Sequence, residues 1–511
     1  MPTELSWTEV RRGLSDLGAM LAFRRAGLAP RSRRRLRWAA GFAGLVTVAV
    51  AIVPGIVRPH THGPAAGHLV AVLPSLYLGF ALLAMMTAVT SGGGREIIPR
   101  EQAVAYPVSA VTEHFGALLF APLNIAWVIQ AWGLIGSTSF VLGTRNLGIS
   151  VLPAVLWIVF ATATGQVVGW VFEGVRRGPG GVWITRGVSA SFALAALVLI
   201  LVHRVTNVLD HSPTVHVYLI GVHAVAGRWG HFALGVLVLL LMVVAAAVAG
   251  LVPARWALHR QQREELRLES GIHEPAPAPR SDLAAMVRID RAGIWRSIPL
   301  RRGLFVLGLM PGSVALAGNL TWDLITVLPG LVASGGALLF GVNAWCLDGR
   351  GALWRDSLPV APGVAFAAKT IVLLEVLVAS AALTLVLAAT RAGAPTVAEA
   401  ASVIAATVVV CLHVVSASMS WSVRRPFASE MRSARATPAP PVVMVGYSAR
   451  LALTTTFLGL FFSATAYASD AWPAILLALP LLAWSGFRLA RTARAWSDPL
   501  VRARVVAVVA S

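Results

Sequence analysis

The sequence predicts an all-α, polytopic membrane protein with twelve transmembrane helices. They form two six-helix halves, each preceded by an amphipathic interfacial helix. Three observations support this fold. The 511 residues are 57% hydrophobic and only 13% charged, with a mean hydropathy of +0.75, whereas ordinary soluble domains carry about a quarter charged residues. The apolar residues fall into runs that reach the length of about 20 residues needed to cross a hydrocarbon core. Arginines are concentrated in every second connection between these runs.

The first half, residues 1–256, begins with an amphipathic segment at 4–28. Its apolar residues approximate one helical face and its arginines lie elsewhere, which predicts a helix at the membrane interface. The apolar runs that follow predict six spans, at about 38–57, 67–90, 108–136, 147–172, 186–207 and 230–256.

A hydrophilic cytoplasmic linker at 257–281, which contains a Pro-Ala run at 275–279, separates the halves. The second half, 282–511, begins with another basic amphipathic segment at 282–300. Six further apolar runs predict spans at about 301–318, 325–346, 362–390, 397–420, 444–468 and 472–490.

The arginines predict the topology, because connections rich in Lys and Arg stay on the cytoplasmic side. Twelve spans place both termini and every arginine-rich connection inside. A net charge of +20 would indicate nucleic-acid binding in a soluble protein. Here the arginines lie between apolar spans, so the charge indicates a lipid-bilayer partner and no nucleic acid.

Two polar segments share their spacing and predict an internal duplication. Pro74 lies 21 positions before Arg95, and Pro329 lies 21 positions before Arg350. Residues 91–107 and 347–361 each combine both signs of charge with a proline that precedes the next apolar run. Solvated loops are the ordinary interpretation. Because the loops occupy matched places in the two halves, they also predict a pair of docking elements for cytosolic domains.

The sequence carries no complete catalytic motif, so we expect no enzyme activity on this chain. Gly363–Thr370 comes close to a phosphate-binding P-loop, but Ala368 stands where the second glycine would let backbone amides approach phosphate. Any ATPase must therefore lie on another chain, and Lys369 is expected to extend to the cytoplasmic interface. The histidines lack carboxylate or cysteine neighbours at ligand spacing, so we expect no metal site.

Polar residues within the predicted spans are candidates for a translocation path, because ionisable groups in a membrane are costly and usually functional. Glu375 lies 13 residues into the ninth span, about 20 Å along a helix and so near the midplane. A glutamate packed between helices is an equally good interpretation. Asn124 and Gln130 lie deep in the third span, where hydrogen bonds between helices are their more ordinary use.

The two polar segments resemble a known element. Gly94-Arg95-Glu96, followed by Tyr106-Pro107-Val108-Ser109 at the start of an apolar run, resembles the bacterial ABC exporter permeases of the type II class. Leu353–Val360 resembles the same element in the second half, with Gly351 where the first copy has Glu96.

The resemblance implies a fused transmembrane subunit in the bacterial cytoplasmic membrane that moves an amphipathic or lipid-like substrate outward. ATP and Mg would be bound by a separate ATP-binding subunit, present in two copies, with no cofactor on this chain. The residues that would couple to that subunit are Gly94, Arg95, Glu96, Tyr106 and Pro107 in the first half, and Asp348, Gly349, Arg350, Arg355 and Pro359 in the second.

Two other function classes remain open. Twelve spans in two halves with a Gly-Arg loop also suit an ion-coupled secondary transporter of the major facilitator kind, although that class pairs its Gly-Arg with a preceding aspartate, which is missing here. A membrane enzyme such as a lipid-linked glycosyltransferase needs a carboxylate in an early outer loop. The segment from Arg58 to Gly67 has none.

Overall fold

The computed structural model describes residues 7–26, 30–57, 64–90, 108–121, 125–143, 148–202, 212–260, 278–428 and 438–511. These residues form helices joined by turns, and none of them belongs to a β-strand. The all-α prediction is confirmed over this part of the chain. The chain divides into two compact units, Met1–Ile272 and His273–Ser511, and the division falls within the segment predicted as the linker.

The described residues of the first unit form helices of 8 to 28 residues. In its described residues the helices are α1 (Trp7–Ala26), α2 (Pro30–Val57), α3 (Pro64–Thr90), α4 (Ala110–Phe120), α5 (Ile125–Leu142), α6 (Leu152–Arg176), α7 (Gly181–Leu201), α8 (Val215–Val225), α9 (Trp229–Ala249) and α10 (Leu251–Leu258).

The second unit has the same kind of architecture, with one 3-10 turn at Gly341–Asn343. In its described residues the helices are α11 (Asp282–Arg296), α12 (Ile298–Gly318), α13 (Trp322–Ile325), α14 (Leu328–Leu339), α15 (Gly351–Asp356), α16 (Pro362–Ala392), α17 (Val397–Arg424), α18 (Pro441–Thr465), α19 (Trp472–Ser497) and α20 (Pro499–Ala510).

Eight helical segments among the described residues are long and apolar enough to cross a membrane, and each overlaps one of the predicted spans. Their outward faces carry exposed Leu, Val, Phe and Trp side chains, as lipid-facing surfaces do. These findings support a multi-pass membrane protein. The segments are Ala40–Val57, Val72–Val89, Leu152–Arg176, Trp229–Leu258, Trp322–Leu339, Pro362–Ala392, Val397–Arg424 and Trp472–Ser497.

The other four predicted spans also contain helices, but twelve crossings stay a prediction. Helices α7, α12 and α18 overlap the ranges 186–207, 301–318 and 444–468. Within the range 108–136, α4 ends at Phe120 and α5 begins at Ile125, and residues 122–124 lie outside the described part of the chain, so a single span there stays a prediction.

The core of the first unit lies where α3 packs on α6. A Cβ atom on Gly165 of α6 would lie 2.9 Å from the carbonyl oxygen of Ala84 on α3, so the missing side chain lets the two backbones approach closely. On the same helix pair, the Trp157 indole donates a hydrogen bond of 2.8 Å to the Tyr77 carbonyl. Tyr77 is fully buried and its hydroxyl bonds to Thr138 of α5. Polar groups thus fix the register of three helices.

The predicted span at 325–346 ends earlier than expected. Helix α14 stops at Leu339, and the chain then turns because its polar groups bond to other segments. The Asn343 amide donates to the carbonyls of Phe427 and Pro438, at 2.7 and 3.1 Å, and Ser422 of α17 accepts a hydrogen bond from the Ala344 amide. Residues 340–350 therefore form the turns that lead into α15, and residues 340–346 of them are buried.

Both amphipathic segments form helices, α1 within 4–28 and α11 within 282–300. Helix α11 begins at an N-cap, where Ser281 accepts a hydrogen bond from the Ala284 amide. Its buried residues are Met286, Asp290 and Ile294, which recur every four positions and so share one face. The extended backbone of Ser297 ends this helix, so residues 298–300 belong to the following helix, α12.

Candidate functional site

The predicted coupling segment of the second unit folds into the short helix α15 between two sharp turns. Gly349 has a φ of 45°, a left-handed conformation that side chains disfavour, and the chain enters α15 two residues later. After α15, the Val360 amide bonds to the Leu358 carbonyl at 2.7 Å, across Pro359. Helix α16 starts at Pro362, in the first helical position where proline is favoured. Helix α15 is therefore connected rigidly to α16.

A buried cluster of four charges joins α15 to its neighbours. Arg355 of α15 binds Asp290 of α11 with both terminal nitrogens, at 2.6 and 2.9 Å, and also bonds to Asp348 at 3.1 Å. Lys369 of α16 lies 2.8 Å from Asp290 and 2.9 Å from Asp348. Hereafter these four residues are the ion cluster. Two carboxylates and two cations balance, and each side chain is at most 10% exposed.

This arrangement corrects the interpretation of Lys369. Its amine was expected to extend to the cytoplasmic interface, but the side chain is only 6% exposed and pairs with two aspartates. The expectation is wrong because Asp290, from a helix far away in the sequence, supplies a buried counter-charge.

The contacts within the ion cluster shift the pKa values of Asp290 and Arg355. Burial alone would raise the pKa of the Asp290 carboxyl, but the charge of Lys369 and the hydrogen bonds and charge of Arg355 outweigh burial and hold this pKa below its usual value. For Arg355, burial works to lower the pKa, and the bonds and charges of Asp290 and Asp348 raise it above its usual value. Asp290 and Arg355 are therefore held in their charged forms at neutral pH.

An aromatic stack closes the ion cluster on one side. The rings of Trp345 and Trp496 lie 4.1 Å apart and nearly parallel, with 8° between their planes. The Arg355 and Lys369 cations lie 6.0 and 5.7 Å from the centre of the Trp345 ring, which a cation–π interaction favours. The Trp496 indole donates to the carbonyl of Pro362, the first residue of α16. The stack thus attaches the end of α19 to the start of α16.

A C-terminal helix that the sequence analysis missed braces α15 from another side. Helix α20 packs against α15, and Arg502 bonds to Asp356 at 2.9 Å. A local signal for this helix was present. Asp498 precedes Pro499, and in the structure its carboxylate caps the helix by accepting from the Leu500 amide, a recognised helix-start combination.

The remaining face of α15 is open. Leu353 and Trp354 are 59% and 62% exposed, and Arg350 at its N-terminus is also exposed. The open face of α15 is therefore apolar, whereas the other side of the helix is held by buried ion pairs.

The matching residues of the first half, Gly94, Arg95, Glu96, Tyr106 and Pro107, lie outside the described residues, and so does Asn124. The structure therefore does not test whether the two coupling segments are equivalent.

Among the translocation-path candidates, Gln130 is half-buried on α5. Glu375 of α16 forms a two-bond ion pair with Arg291 of α11, at 2.5 and 2.9 Å. Their side chains are 39% and 55% exposed. The pair joins α16 to the amphipathic helix, and a role of Glu375 in a translocation path stays a prediction.

The described residues contain no group of three or more His, Cys, Asp or Glu placed to hold a metal ion. His223 and His231 have ring centres 5.2 Å apart.

Comparison with known proteins gives no match: no family model, no curated protein and no solved structure is similar to this chain.

The lowered pKa of Asp290 predicts a pH-dependent stability. Its folded pKa lies below the unfolded value, so the carboxylate stabilises the second unit above the unfolded pKa, and this contribution is lost as pH falls through the folded pKa. We expect Asp290→Asn to lower the free energy of unfolding of the second unit by about 3 kcal/mol relative to the wild type at pH 7. The difference should shrink below about pH 4, by at most about 1.4 kcal/mol per pH unit.

Thermal unfolding in detergent micelles, followed by circular dichroism between pH 3 and 7, measures this difference. Asp470→Asn is the control, because Asp470 is exposed and accepts a hydrogen bond from its neighbour Ser469. This variant should follow the wild type throughout. A difference between Asp290→Asn and the wild type that stays constant with pH would show that ionisation of Asp290 does not stabilise the unit.

Proposed function

We propose that this chain is the transmembrane permease subunit of an ATP-driven exporter, energised by a separate ATP-binding subunit. That subunit docks on α15 in the second unit and on the matching segment 91–107 in the first. The permease has twelve spans, with both termini in the cytoplasm of a bacterial cell, and it moves an amphipathic or lipid-like substrate. The nature of the substrate rests on analogy with the class that the sequence resembles.

The observation that carries this proposal is the asymmetry of α15. Its outward side chains, Leu353 and Trp354, are exposed, while Arg355 on the same helix is held in the buried ion cluster. A loop that only connects two spans needs neither feature. A docking element needs both, because it must bind a partner and pass the partner's motion to the bundle.

The contacts define how motion would pass from α15 to the bundle. A displacement of α15 pulls on Asp290 of α11 and Lys369 of α16 through the ion cluster. Breaking buried ion pairs is expensive, so α11 and the start of α16 move together with α15. ATP binding and hydrolysis on the partner would in this way shift the helix bundle between two packings of similar energy.

The alternative is an ion-coupled secondary transporter of the major facilitator kind. It would use an ion gradient and would need no docking surface for an ATP-binding subunit. This alternative leaves the exposed Trp354 and the buried support beneath it without a role.

The test is purification of the tagged full-length chain from its native membranes, with ATP hydrolysis measured in the eluate. We expect a P-loop subunit to co-purify with the wild type. Reversal of both loop charges, Arg95→Glu with Arg350→Glu, should lower the co-purified ATPase activity at least about tenfold, because it alters both docking segments. Arg494→Glu is the matched control, since it reverses an exposed arginine on α19.

Undiminished co-purification with the doubly reversed chain would exclude docking through these segments. A chain that purifies without any ATPase, and whose transport follows an imposed proton or sodium gradient, would favour the secondary transporter.

A further inference from the structure

Three arginines from three adjacent helices lie together in the second unit. Arg424 ends α17, Arg450 belongs to α18, and Arg488 belongs to α19. Arg450 and Arg424 lie close enough to Arg488 to act on it electrostatically. Hereafter these three residues are the arginine cluster.

Packing fixes the helices that carry the arginine cluster. Helix α17 packs against both α18 and α19. The hydroxyls of Ser418 on α17 and Tyr447 on α18 share a hydrogen bond of 2.7 Å, and the Tyr447 ring lies 5.2 Å from that of Trp421. Because Tyr447 is one helical turn from Arg450, these two contacts of Tyr447 fix the position of Arg450 relative to α17.

Two of the arginines lie well inside their helices. Arg450 is nine residues from the start of α18 and Arg488 is nine residues from the end of α19, about 13 Å from the helix end in each case. The helices α17 and α19 are both candidate membrane-spanning segments. An arginine at a helix end can extend into water, and Arg425, which follows α17, is exposed. Arg488, by contrast, is half-buried.

The charges of the arginine cluster are not balanced by protein carboxylates in the described part of the chain. In the described residues of the second unit, the ion pairs join cations outside the arginine cluster to the carboxylates of Asp290, Asp348, Asp356 and Glu375. Like charges held together at the edge of a low-dielectric region repel each other, and they are stabilised when an anion binds between them.

The surroundings of the arginine cluster favour a lipid anion over a soluble one. Phe487 and Trp484 flank Arg488 on α19 and are 58% and 57% exposed, and Leu453 and Phe457 beyond Arg450 are exposed as well. The Arg488 cation lies 5.9 Å from the Trp484 ring centre. A positive site bordered by outward apolar side chains matches a phosphate headgroup with its acyl chains.

We propose that Arg424, Arg450 and Arg488 bind the phosphate group of an anionic membrane lipid at the end of the second unit that carries α15. Arg488 contacts the phosphate from between the helices, and Arg424 and Arg450 contact it from the exposed side. The acyl chains lie along the apolar faces of α18 and α19. This site does not depend on the proposed ATP-binding partner, so it would stand if that proposal failed.

The experiment titrates the delipidated full-length protein in mixed micelles with fluorescent phosphatidylglycerol and measures binding by anisotropy. Phosphatidylcholine and inorganic phosphate serve as competitors. We expect Arg450→Gln with Arg488→Gln to weaken phosphatidylglycerol binding roughly thirty-fold, because each basic residue near an anionic headgroup contributes about fivefold. The double lysine variant should keep most of the binding. The control, Arg494→Gln on α19, should stay within about twofold of the wild type.

Circular dichroism melts show whether each variant is folded, and the lysine variant provides the comparison if the glutamine variant unfolds. Wild-type binding by the folded glutamine variant would overturn the proposal, as would equal binding of phosphatidylcholine. Displacement of the lipid by millimolar inorganic phosphate would assign the site to a soluble anion and overturn the lipid assignment.

Discussion

Replacing Arg355 with methionine is expected to lower the free energy of unfolding of the second unit by about 3–5 kcal/mol. The guanidinium is 8% exposed and binds Asp290 and Asp348. Without it, two buried carboxylates share only the amine of Lys369. Removing one partner of a buried ion pair leaves an uncompensated charge, which destabilises far more than loss of an exposed pair. Unfolding by SDS in mixed micelles, followed by circular dichroism, measures the change.

The matched control is Arg350→Met, which removes the same charge from the exposed N-terminus of α15 and should change stability by less than about 0.5 kcal/mol. Adding Asp348→Asn to Arg355→Met restores charge balance around Lys369 and Asp290. This second change should therefore recover about 1–2 kcal/mol. Equal stability of Arg355→Met and Arg350→Met would show that the ion cluster does not hold α15.

The positions of the long helices are predictable from the sequence because each membrane-crossing helix needs a long apolar run, and few other structures produce one. Helices α16 and α17 begin at Pro362 and Val397, where the predicted spans 362–390 and 397–420 begin. Errors occur where polar contacts with distant residues end a helix. Asn343 stops the chain from continuing as a span after α14, and its acceptors lie more than 80 positions away.

The ion cluster also depends on contacts between residues that are distant in the sequence, so it could not be predicted. Asp348 and Arg355 looked like members of a solvated loop, and Lys369 looked like a side chain at an interface. Their charges are buried because α11 packs along α16 and supplies Asp290. One signal was available in the sequence. Asp290 lies four residues after Met286 and four before Ile294, so it occupies the apolar face of an amphipathic helix, where an unpaired aspartate is not tolerated.

These contacts also support the proposal that a partner docks on α15. Six residues are too few to form a stable helix alone, and the pull of a docked protein would unwind an unsupported turn. Here Arg355 holds one side of the helix and Arg502 of α20 bonds to its last residue, Asp356. The exposed Trp354 is therefore presented in a fixed position, which lowers the entropy lost on binding.

Replacing Trp354 with aspartate is expected to weaken binding of the ATP-binding subunit at least about thirty-fold. A tryptophan at the centre of an interface commonly contributes 2 kcal/mol or more, and the aspartate adds a charge that must be desolvated. The side chain is 62% exposed, so the change should leave the fold of the second unit intact. Titration of the purified permease with the ATP-binding subunit that co-purifies with the wild type measures the affinity.

Trp472→Asp is the matched control for this prediction. Trp472 is also 62% exposed, but it starts α19, 24 positions before Trp496 and so about 36 Å from the α15 end of that helix. Its substitution introduces the same charge at an equally exposed tryptophan, so partner affinity should stay within about twofold. If both variants bind the subunit equally well, α15 is not the docking surface. If both lose binding alike, the loss reflects general damage to the protein, because only a contact at α15 distinguishes two tryptophans at opposite ends of one unit.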